Sequence, residues 1–129
     1  MPGHELAREL LQTAESDLKA LDHMLNPDAF DDRVFGFHAQ QAVEKALKAW
    51  LNGLGKVHPF THDLSLLLHL LEEQGADVES CWEFLDLSGY AVRLRYEVLP
   101  EWEEPLDREA LCRKVRRLLE YVKNLLEQS

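Results

Sequence analysis

Three groups of polar residues stand where a mainly apolar chain does not require them. The first is Gln40-Gln41-Ala42-Val43-Glu44-Lys45, with Lys48 one turn on and His38 just before. Carboxamides, a carboxylate and ammonium groups at helical spacing can build a bonded network in a groove or at an interface. The second is Thr61-His62-Asp63-Leu64. Thr61 and Asp63 suit a helix start, where a side-chain oxygen accepts free backbone N–H groups. That role leaves His62 unexplained, because the positive end of a helix disfavours a protonated imidazole. The third is Tyr90-Ala91-Val92-Arg93-Leu94-Arg95-Tyr96. Guanidinium forks bind phosphate oxygens and tyrosine rings stack on bases, so this group fits an anion or RNA-phosphate contact.

Each group also has a plainer reading. Glu44 and Lys48 can be an ordinary i, i+4 pair on a wet helical face. Arginines near a helix C-terminus complement its dipole, and tyrosines bury their rings while keeping their hydroxyls wet. His58 and His62 are four apart, but Pro59 prevents a helix through both, and no third ligand stands at a defined spacing; no metal or cofactor is expected. Arg113, Lys114, Arg116 and Arg117 read as solvated charge balancing Glu101, Glu103 or Glu104. No Gly-rich phosphate loop, Ser/His/Asp order or HExxH motif occurs.

The elements that must position these groups are helical. Leu6, Leu10, Ala14, Leu18, Leu21 and Leu25 predict a helix from Glu5 to Leu25, stopped by Asn26-Pro27-Asp28. A second runs from about Asp31 to Asn52, ended by Gly53 and Gly55. On it, Phe35, Ala39, Ala42, Ala46, Ala49 and Gly53 form a stripe of mostly small residues that admits a neighbouring helix closely, and the polar stripe lies beside that seam. Thr61 is a candidate cap for a third helix from Asp63 to Gln74, closed by Gly75. A fourth is expected from Val78 to Tyr96, presenting Cys81, Phe84, Leu85, Ser88, Ala91 and Leu94. Glu97 to Pro105 reads as a loop, and Asp107 caps the last helix, with Leu111, Val115, Leu118, Val122 and Leu125 inward. Long helices on short loops predict an all-α, up-and-down bundle of about five helices, one domain over residues 1–129.

Composition narrows the functional classes. The 129 residues carry a formal charge of −10, which argues against broad, sequence-independent nucleic-acid binding and leaves only local basic patches. Arg93 with Arg95 is one such patch. No apolar run reaches the roughly 20 residues of a membrane span, and the first residues lack a signal-peptide core, so a cytoplasmic protein is expected. Cys81 and Cys112 read as small buried apolar side chains.

Taken in order, Gln40-Gln41-Ala42-Val43-Glu44-Lys45-Ala46-Leu47-Lys48-Ala49, Thr61-His62-Asp63-Leu64 and Tyr90…Arg93-Leu94-Arg95-Tyr96 resemble the HEPN domain family (higher eukaryotes and prokaryotes nucleotide-binding). The resemblance runs from about Glu5 to Leu126. It implies a helical bundle that pairs with itself as a homodimer or higher homo-oligomer. It also implies a minimal nucleotidyltransferase as partner, in a two-component or toxin–antitoxin-like system. Many members resemble metal-independent endoribonucleases carrying Arg, four to six residues, then His. Here no His follows Arg93 or Arg95 in that window, and none occurs after His69. An arginine stays charged and cannot take the 2′-hydroxyl proton.

The expected role is thus a binding partner of a nucleotidyltransferase that contacts nucleotide or RNA phosphate. Gln41, Glu44, Lys45, His62, Arg93, Arg95 and Tyr96 are its candidate ligand-binding residues. The alternative is an endoribonuclease with an altered site, in which His62 and Arg93 are the candidate catalytic pair. Whether the chain is an enzyme stays open at this point.

Overall fold

The computed structural model describes residues 2–87 and 106–128. Within them lie α1 (Pro2–Asp22), α2 (Asp32–Gly53), α3 (Leu64–Glu73), a 3-10 helix (Glu79–Leu87) and α4 (Arg108–Glu127). This is the expected all-α bundle, and no strand occurs among the described residues. The Tyr90–Tyr96 group and the predicted loop from Glu97 to Pro105 lie outside them.

α2 is the central element. From Ala42 to Asn52 every residue except Lys45 is buried, so more than one side of the helix is covered. The small-residue stripe Ala39, Ala42, Ala46 and Ala49 is fully buried. At its end, a Cβ on Gly53 would run into the Leu126 side chain, so α4 packs tightly against α2 there. Asp31 starts α2 by accepting from Val34 N–H at 3.1 Å. Gly55, at φ 85°, ends it: Gly55 N–H donates to Asn52 O at 3.0 Å and Lys56 N–H to Leu51 O at 3.0 Å. Glycine adopts that left-handed conformation without a Cβ penalty, which satisfies the last carbonyls and turns the chain back.

α1 spans Pro2–Asp22 rather than Glu5 to Leu25, and two further boundaries differ from expectation. Asp63, not Thr61, caps α3, accepting from Ser65 N–H at 2.9 Å, while Thr61 Oγ1 accepts from Asp63 N–H at 3.1 Å. The predicted fourth α-helix begins instead as a 3-10 helix. Its sequence explains this: Val78, Cys81, Phe84 and Leu87 are the buried residues, and a strict spacing of three keeps one face inward only at three residues per turn.

One residue that the hydrophobic pattern does not flag fixes the start of α4. Arg108 is 6 % exposed and donates to Met24 O at 2.7 Å and to Asp32 Oδ1 at 2.9 Å. It also bonds Phe30 O and stacks over the Phe35 ring, 5.0 Å from its centroid. The guanidinium thereby satisfies carbonyls left over where α1 ends and α2 begins. With Arg108 at the start of α2 and Leu126 at its end, α4 runs alongside α2 in the same direction. Arg116 meets Asp22 of α1 at 2.7 Å and Lys114 meets Glu83 at 3.7 Å, whereas Glu101, Glu103 and Glu104 lie outside the described residues.

Candidate functional site

Gln40, Glu44, Lys48 and Asn52 recur every four residues and so form one stripe of α2. All four are buried, at 0, 3, 9 and 3 % exposure. What covers them is the loop from Leu54 to Asp63. After the reversal at Gly55 it runs back along α2, bringing His58 to Asn52 and His62 to Glu44. A buried polar stripe must be internally bonded, and this one is.

Glu44 is the hub. Its Oε1 accepts from Gln40 Nε2 at 3.0 Å and from His62 Nδ1 at 3.0 Å, and its Oε2 accepts from Lys48 Nζ at 3.0 Å. Gln40 Nε2 also reaches the His62 carbonyl at 3.3 Å, and Gln40 Oε1 accepts from Gln41 Nε2 at 2.7 Å. At the other end, Asn52 Nδ2 donates to Lys48 O at 2.7 Å and to His58 Nδ1 at 2.6 Å.

The two histidines are set in opposite ways. A carboxylate only accepts, so His62 carries its proton on Nδ1, and Nε2 is the ring nitrogen left for a ligand. The His62 side chain is 70 % exposed, whereas its Glu44 partner is 4 % exposed. A buried anion thus orients an imidazole that faces water. His58 Nδ1 is instead an acceptor and belongs to a neutral ring. Burial, then the charge of Lys48, hold its pKa below the ordinary value, with Glu44 opposing.

Of the residues expected at one site, the structure brings together Gln41, Glu44 and His62. Lys45 goes elsewhere: one residue beyond Glu44 is a 100° turn of the helix, which aims it at α1, where Nζ meets Asp17 Oδ2 at 2.7 Å. His38 shares that aspartate at 3.5 Å. Arg93, Arg95 and Tyr96 lie outside the described residues. Sequence reasoning missed Asn52 and His58 as members of the network. The available signal was the four-residue spacing from Gln40 to Asn52, which continues past the stretch that drew attention.

Other chemistry is sparse. Cys81 is buried, which pushes its thiol up to about 11 and suppresses the reactive thiolate. No group of three or more potential metal ligands occurs among the described residues. No helix there is long and apolar enough to cross a membrane.

The comparisons agree with the architecture. The model of the HEPN domain family matches residues 7–125. No curated protein and no solved structure matches the chain. A match over nearly the whole length, on a helical bundle whose central helix carries the Gln-Gln and Glu-Lys motif, settles the family: the chain belongs to the HEPN domain family, whose functions concern nucleotides and RNA.

Proposed function

We propose that this HEPN-domain protein binds nucleotide or RNA phosphate through the face carrying His62. It acts in the cytoplasm, as a homodimer or higher homo-oligomer, beside a minimal nucleotidyltransferase in a two-component or toxin–antitoxin-like pair. The observation that carries the binding reading is the imidazole of His62, 70 % exposed yet fixed by a buried carboxylate. A polar network of this kind has no packing purpose at its outer end. Its effect is to preset one ring so that Nε2 meets an incoming acceptor or donor without first losing conformational freedom. Protonated, that nitrogen donates to a phosphate oxygen in a charge-assisted bond. The nucleotidyltransferase partner is argued from membership of the HEPN family alone.

A second reading has its own support. A carboxylate bonded to Nδ1 of a histidine whose Nε2 faces outward is the arrangement that orients a general base. In an endoribonuclease, His62 would take the 2′-hydroxyl proton and Arg93 would stabilise the charged phosphorus centre. One experiment separates the readings. Fluorescein-labelled single-stranded RNA is titrated with wild type, His62→Ala and Arg93→Ala, without metal, and both anisotropy and strand length are followed. The binding reading expects intact strands and weaker binding in both variants. Cleavage by wild type that is lost in both variants promotes the enzyme. Equal binding by wild type and His62→Ala removes His62 from the site. Co-purification with a co-expressed nucleotidyltransferase tests the partnership, and an absence of complex contradicts it.

A further inference from the structure

Phe60 stands wholly in water, at 102 % of its reference exposure, in a chain that buries Phe35 completely and Phe84 nearly so. Its position is braced on both sides. Two residues before it, His58 is bonded to Asn52 at 2.6 Å. Two residues after it, His62 is bonded to Glu44 at 3.0 Å, and the His62 carbonyl to Gln40. Pro59 fixes the backbone φ immediately ahead of it. A ring at the apex of a loop anchored at both feet holds its direction at little entropic cost on binding.

The ring also has a chemically specific neighbour. Its centroid lies 6.5 Å from that of His62, with the planes 57° apart. A flat apolar face therefore stands beside an outward nitrogen that suits a phosphate. That pairing matches a nucleotide, with its flat base and adjoining anion, better than an aliphatic side chain. Resting on the phosphate reading above, we infer that Phe60 is a stacking platform for an unpaired nucleobase, so that the site takes single-stranded rather than duplex RNA. Stacking on an exposed aromatic ring needs a base face that no neighbouring base pair covers, and tolerates any base. Within a duplex the stacked pairs cover one another, so away from its ends only phosphates are offered to the site.

The test uses the full chain and a short fluorescein-labelled oligoadenylate at low salt, with an abasic strand of equal length and a duplex as companions. Phe60→Ala removes a fully exposed side chain, so its fold and melting temperature stay close to those of wild type. It is expected to weaken oligoadenylate binding roughly tenfold, within the range of stacking on one base, and to leave the abasic strand unchanged. Phe60→Trp restores or improves the affinity, and the duplex binds no better than the abasic strand. Wild-type affinity for oligoadenylate in Phe60→Ala, with binding lost in His62→Ala, overturns the platform and leaves the phosphate reading standing. Failure of wild type to bind any strand removes both. A fall in sedimenting mass for Phe60→Ala without change in RNA affinity makes the ring, with the 87 % exposed Val57 of the same loop, a contact between copies of the chain, and overturns the platform as well.

Discussion

Glu44→Ala is the perturbation that reaches furthest through this molecule. It removes the acceptor of three donors, and their costs differ. His62 is 70 % exposed on its side chain, so water replaces its bond at almost no cost. Gln40 Nε2 keeps the His62 carbonyl at 3.3 Å. Lys48 is left without an oppositely charged partner among the described residues, and its side chain is only 11 % exposed. Removing one partner of a buried ion pair costs about 3–5 kcal/mol, and the residual access of Lys48 to water places this site near 3 kcal/mol. For a chain of this size that is about 10 °C in melting temperature. Urea unfolding followed by far-UV circular dichroism measures it. In Glu44→Ala/Lys48→Met both charges are gone and much of the loss is recovered, giving a coupling of about 1–3 kcal/mol between the two positions. A loss below about 1 kcal/mol in Glu44→Ala, with additive single variants, would refute the reasoning, since it would mean that the pair is wet and holds nothing.

Three further outcomes follow from the same geometry. Arg108→Ala leaves Met24 O and Phe30 O without their donor and Asp32 without its partner, and is expected to cost about 3–5 kcal/mol, read as a fall in the urea midpoint at constant slope. His58 is held neutral in the folded state, so its contribution is complete above the unfolded value of about 6.5 and is lost as pH falls through the lower folded value. Unfolding free energies measured down this acid window should fall more steeply for wild type than for His58→Gln. Asp107→Ala removes the cap that accepts from Ala110 N–H at 3.1 Å and is expected to cost about 1 kcal/mol. A change within error in Asp107→Ala would show that water substitutes for the cap.

The helices were legible because their signals are local. Leucine spacing, Asp107 as a cap, and glycines past the last turns each act within a few residues, and α1, α2, α3 and α4 stand close to where those signals put them. The start of the fourth element was misread because Cys81 and Phe84 suit both an α-helix and a 3-10 helix. Only Val78 and Leu87, read together with them, favour three residues per turn. The site was legible in part. Glu44 and His62 were both conspicuous, but their meeting depends on the loop doubling back along α2 after Gly55, a tertiary event without a local signature. Lys45 looked equivalent to Glu44 in sequence. The charge that separates them is Asp17, on another helix and 28 residues away. Arg108 left no trace in the hydrophobic pattern, because its value lies in carbonyls that only the packed chain exposes to it.

The central claim is that Glu44 fixes the His62 ring with Nδ1 protonated and Nε2 presented to a phosphate. Long-range proton–nitrogen NMR of the imidazole, recorded with and without a short single-stranded RNA, reads both parts at once. The account predicts a single Nδ1–H tautomer in the free protein, disrupted in Glu44→Gln, and a shift confined largely to Nε2 when the strand is added. A ring that averages between tautomers as a free histidine does, and whose nitrogens stay unmoved at saturating RNA, would contradict it.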